Sequence, residues 1–74
     1  MWKDGVIQVE GAKIKYNAKV YDEPSIHGIN DGRISKLFLE ESGDTIAAYD
    51  RGWDIKPISK AATLAVAILL YKFK

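Results

Sequence analysis

The ten residues AKIKYNAKVY (residues 12–21) alternate without a break. Ala12, Ile14, Tyr16, Ala18 and Val20 fall on one side, and Lys13, Lys15, Asn17, Lys19 and Tyr21 on the other. Successive side chains of an extended strand point to opposite faces, so the pattern predicts an antiparallel strand with one buried face and one wet face. Such a strand needs a partner, and the flanking sequence offers candidates.

On the N-terminal side, residues 5–10 read as a strand, joined to this one through a two-residue Glu10-Gly11 turn. On the C-terminal side the strand runs to about residue 22. A long connection rich in turn formers follows, with Pro24, Gly28 and Gly32, and its Asn30-Asp31-Gly32 end suits a residue with positive φ. RISKLFLEE (residues 33–41) is a third strand, SGD turns the chain, and residues 45–50 form a fourth. Short links between short strands predict an antiparallel meander.

The remainder, PISKAATLAVAILLYKFK (residues 57–74), reads as a helix over 58–73. Pro57 suits its first turn, Ser59 is a candidate N-cap, and Lys72 and Lys74 sit where the helix dipole favours cations. The expected architecture is a single α+β domain over 1–74, a four-stranded antiparallel β-meander with one C-terminal α-helix packed on one face.

Composition narrows the function classes. The chain has 74 residues, no cysteine, 28% charged residues and a formal net charge of +1. No disulfide framework or thiolate metal site is possible, and a near-zero charge argues against a protein whose task is bulk electrostatic grip on nucleic acid. No signal-peptide pattern opens the chain, so the expected compartment is the cytoplasm. The charge is uneven: residues 1–21 balance at +2, residues 22–54 at −5, and from Pro57 onward there are three lysines and no acid. Laying the basic strand beside acidic ones would cancel most of this.

At 100° per residue, Ile58, Ala62, Ala65, Val66, Leu69 and Phe73 share one arc of the helix, the face expected on the sheet. A second stripe, Leu64, Ile68 and Tyr71, lies on its shoulder at i, i+4, i+7. Leaving those three in water forgoes roughly 1.5–3 kcal/mol each, a total comparable to the whole stability of a small domain at about 5–15 kcal/mol. Either the sheet curls around the helix or another chain covers the stripe. The expectation is self-association through Leu64, Ile68 and Tyr71, most simply as a homodimer. The apolar run 61–71 spans only about 17 Å at ~1.5 Å per residue, too short to cross a bilayer core of about 30 Å.

Catalytic and metal-binding patterns are absent. His27 is the only histidine, and Asp22, Glu23 and Asp31 around it match no ligand spacing. The serines lack a nucleophile elbow, and HGINDGR lacks both the context and the lysine of a phosphate loop. The chain is expected to be no enzyme and to need no cofactor. The lysine face of strand 2, Lys13, Lys15 and Lys19 with Tyr21, could track a single-stranded nucleic acid, and the basic helix could lie on a membrane surface. Both are alternatives to a protein-binding or self-assembling module.

YDRGWD (residues 49–54) crowds two carboxylates, an arginine and a tryptophan around one glycine. Arg51, Trp53 and Asp54 are the partner-binding candidates there. The competing reading is structural: Gly52 relaxes the strand end, Trp53 caps the core, and Arg51 pairs with an aspartate or a carbonyl.

GINDGRISKL (residues 28–37) and YDRGWD together resemble segments of a family of small uncharacterised proteins encoded by bacteria and their phages, in which two such segments precede a helical C-terminus. The resemblance covers the chain from Trp2 into the helix. It implies a cytoplasmic, phage- or prophage-associated accessory protein, and carries no established activity with it.

Overall fold

The computed structural model describes residues 1–74. Its order is β1 (Trp2–Val9), β2 (Ala12–Val20), a single 3-10 turn (Ile29–Asp31), β3 (Ile34–Glu41), β4 (Asp44–Asp50), β5 (Trp53–Ile55) and α1 (Lys60–Lys72). The strands form one antiparallel sheet in the order β1-β2-β3-β4-β5, and α1 crosses one face of it. The class is α+β as expected, but the sheet has five strands and not four.

The turns explain the meander. Glu10 and Gly11 both have positive φ, 53° and 78°, as do Ser42 and Gly43 at 52° and 85°. Two left-handed residues in succession make the hairpin turn whose twist matches that of the strands it joins. Val9 therefore pairs with Ala12, and Glu41 with Asp44.

β1 begins at Trp2, earlier than the expected residue 5. Lys3, Asp4 and Gly5 look like a loop in isolation, yet Gly5 lies opposite Tyr16. A Cβ there would sit 2.8 Å from the Tyr16 hydroxyl, so the ring occupies the space a side chain would need. A large cross-strand ring thus covers a weak strand residue.

The core face carries Val9 from β1, Ile14, Tyr16, Ala18 and Val20 from β2, Leu37 and Leu39 from β3, and Ala47 and Tyr49 from β4. Against them α1 buries Ala62, Ala65, Val66 and Leu69. The alanines let the helix axis come close, and Leu69 fills the gap between them. Phe73 closes the far end, its ring centroid 6.3 Å from that of Tyr16.

Ile58 departs from the expected face. It is 92% exposed and precedes the helix. The cause is Ser59, the N-cap: its backbone is extended at ψ 156°, and its hydroxyl accepts the Ala62 amide at 3.0 Å. Residues before an extended N-cap leave the helical wheel, which moves Pro57 outside as well. Ser59→Ala should lower unfolding free energy by about 1 kcal/mol. Urea denaturation would check this, and an unchanged midpoint would mean that the cap contributes nothing.

The long connection is built and not slack. Ile29 is buried, Ser25 donates its amide to the Gly32 carbonyl, and the Tyr21 amide reaches Arg33 O at 2.8 Å. Asn30 and Asp31 take the positive φ values here, 53° and 58°, and Gly32 does not. A Cβ on Gly28 would run into the carbonyl of Gly32. The GINDGR segment is thus a compact plug, with Ile29 inserted at the open end of the core.

Candidate functional site

Tyr49 to Asp54 makes the turn into β5. Tyr49 pairs with Trp53 and Ala48 with Ile55, across a bulge at Ala48 and Tyr49. The reversal uses Arg51 at φ 62° and a hydrogen bond from the Asp50 amide to Gly52 O. Trp53 packs edge-on to Tyr49, centroids 5.0 Å apart, against the core. The Tyr49 hydroxyl donates to the His27 carbonyl at 3.1 Å, which ties this corner to the GINDGR plug.

The three partner-binding candidates therefore separate. Trp53 turns inward as an architectural residue, while Arg51 and Asp54 are exposed. The pairing expected for Arg51 does not form. Asp50, its neighbour, bridges to Lys36 across the strands at 3.7 Å. The register sets Asp50 directly opposite Lys36 on β3, and Arg51, at the turn, stays exposed.

On α1, Leu64 is 36% exposed, Ile68 42% and Tyr71 70%. By helical spacing they lie roughly opposite the buried Ala62, Ala65, Val66 and Leu69. The sheet does not curl far enough to cover them. Lys60, Lys72 and Lys74 border the stripe. Lys60 is held toward Glu10 at 3.6 Å, and the Lys74 ammonium sits 4.2 Å from the Tyr71 ring centroid.

The sheet face without the helix carries Lys13, Lys15, Asn17 and Lys19 from β2, as the alternation predicts. Lys15 stands opposite Glu40, and Lys19 opposite Lys36. Tyr21 lies just past the end of β2. The acids of β3 and β4 thus offset much of the lysine charge. Trp2 and Val6 of β1 and Phe38 of β3 are exposed too, and a concavity of about 430 Å³ opens beside Val6, Lys15 and Phe38. Phe38 was not singled out by the sequence reading, although its place between Lys36 and Glu40 at period two would have put it on this face. Trp2 was not legible there, once strand 1 was read from residue 5.

No group of three histidine, aspartate or glutamate side chains comes close enough together to hold a metal ion. No helix is long and apolar enough to cross a membrane.

No curated protein and no solved structure matches this chain. A protein-family model does match, over residues 1–74, the full length in which the GINDGR plug, the Trp53 corner and the C-terminal helix are found. The chain accordingly belongs to the family described as Domain of unknown function (DUF7678).

Proposed function

We propose that this chain is a non-enzymatic assembly module that binds a second copy of itself through the outer face of α1. The observation that carries the reading is the stripe of Leu64, Ile68 and Tyr71, three large apolar side chains in line on the face turned away from the sheet. A chain of this size has little stability to spare, and covering such a stripe recovers part of what exposure forgoes. An isologous pairing buries the same stripe on both copies. The cytoplasmic, phage-associated setting comes from the sequence resemblance and belongs to this reading.

The test is Leu64→Lys with Ile68→Lys, followed by sedimentation velocity and circular dichroism. Wild type should sediment as a dimer at low micromolar concentration and the double variant as a folded monomer, because both positions already face solvent. A double variant that keeps the wild-type state would overturn this interface.

The lysines bordering the stripe give a second reading, in which the same face lies on anionic lipid. Its distinguishing result is a wild-type monomer that co-sediments with anionic vesicles, binding that the double lysine variant loses. The β2 lysine face supports a nucleic-acid reading less well, since Glu40 stands opposite Lys15 and Asp50 engages Lys36.

A further inference from the structure

The two edges of the sheet differ. β5 is three residues long and follows a bulge, so it offers little to an incoming strand. β1 is eight residues long, regular in register with β2 throughout, and has no bulge and no proline. Nothing in the chain lies outside it in the sheet.

Its backbone polarity can be assigned. Met1 and Val20 exchange both hydrogen bonds, Met1 N to Val20 O at 2.9 Å and Val20 N to Met1 O at 2.8 Å. In an antiparallel ladder, hydrogen-bonded and non-bonded pairs alternate. With the register unbroken, Lys3, Gly5, Ile7 and Val9 bond to β2. Trp2, Asp4, Val6 and Gln8 direct their amides and carbonyls outward. Their side chains all fall on the face opposite the helix, where Trp2 is 50% exposed and Val6 49%.

We infer that β1 is a pairing edge for β1 of a second copy, antiparallel across a twofold axis at Val6. The outward groups sit only on even-numbered residues, so an even residue must face an even one. Centring on Asp4 sets two carboxylates against each other. Centring on Gly5 sets Asp4 against an apolar Val6, and centring on Ile7 sets Asp4 against Glu10. Centring on Val6 sets valine on valine, Asp4 opposite Gln8, Trp2 opposite Glu10, Lys3 opposite Val9, and Ile7 opposite Gly5, over which the Tyr16 ring lies. Of these four registers it is the one that sets no carboxylate against another carboxylate or against valine. Pairing joins two five-stranded sheets into one of ten strands with both helices on the same side, and removes the long open edge.

This surface is separate from the outer face of α1, and its test reads it separately. Amide hydrogen exchange on the full chain, followed residue by residue, has an internal control. Lys3, Gly5, Ile7 and Val9 are protected by β2 in any state, whereas Asp4, Val6 and Gln8 are protected only by a partner strand. The expected result is protection of all seven at high concentration, with loss of protection at Asp4, Val6 and Gln8 on dilution. Val6→Pro removes an outward amide and no bond to β2, a position at which edge strands tolerate proline. It should fold, lose that protection at Asp4 and Gln8, and sediment as a smaller species than wild type. Free exchange at Asp4, Val6 and Gln8 in concentrated wild type overturns the inference, even where the chain still dimerises through α1. Retained protection in Val6→Pro overturns it as well. At the same high concentration the Leu64→Lys, Ile68→Lys variant is expected to keep this protection, since the two surfaces are independent; at the low micromolar concentration where it sediments as a monomer, the protection is expected to be lost.

Discussion

Leu69→Ala should destabilise the fold by roughly 3–5 kcal/mol, measured as the loss of unfolding free energy in urea. Leu69 is wholly buried and is the largest side chain that α1 inserts into the core; its buried companions are two alanines and one valine. Removing its branched end leaves a cavity between the sheet and a helix that small residues hold close. Neither wall can collapse easily, because the strands are hydrogen-bonded to one another and the Arg33 guanidinium, donating to Lys74 O at 3.2 Å, ties the C-terminal end of the helix back to the sheet. A loss of that size is a large fraction of the ~5–15 kcal/mol typical of a small domain. Leu64→Ala is the matched control on the opposite side of the same helix. In a monomer it should cost about 1–2 kcal/mol, since Leu64 is 36% exposed and its truncation leaves no enclosed cavity. Equal losses at the two positions would contradict the placement of the helix.

Trp53→Ala should cost about 2–4 kcal/mol, whereas Arg51→Ala should stay within about 0.5 kcal/mol. Trp53 carries the short fifth strand: its ring packs edge-on to Tyr49, and the two residues are also backbone partners. Tyr49 in turn holds the His27 carbonyl, so loss of the indole loosens the corner and the Ile29 plug together. The estimate sits below that for a fully buried tryptophan because one side of Trp53 meets solvent. Arg51 has no side-chain partner in the chain to lose. Paired thermal melts of the two variants would check the contrast. A large loss at Arg51 with none at Trp53 would invert the assignment and make the corner a site before it is a structural element.

The crowding of charge and aromatic groups in YDRGWD was visible in the sequence, but its division of labour was not. Aspartate, arginine, glycine and tryptophan in succession suit a binding loop and a hairpin turn equally. What separates them is that Tyr49 and Trp53 meet across the turn, leaving Arg51 at its tip with positive φ. Three residues of β5 are too few for an alternation to register, which is why a fifth strand went unseen. The GINDGR segment reads locally as turns; Ile29 within it packs into the core, and the His27 carbonyl just before it accepts from a tyrosine hydroxyl 22 positions away.

By itself the sequence determined the parts governed by local geometry. Period-two alternation marks β2 and its two faces, Glu10-Gly11 and Ser42-Gly43 mark the hairpins, and helical spacing marks the Ala62, Ala65, Val66 and Leu69 face. These follow from where successive Cβ atoms point and from the φ values a turn requires. Only the tertiary structure decided that Trp2 and Gly5 belong to a strand and that Ile29 plugs the core. It alone left the outer helix stripe uncovered and β1 on an open edge. Each of those outcomes is set by a partner distant in the chain, or by the lack of one, and the order of residues does not encode such distances locally.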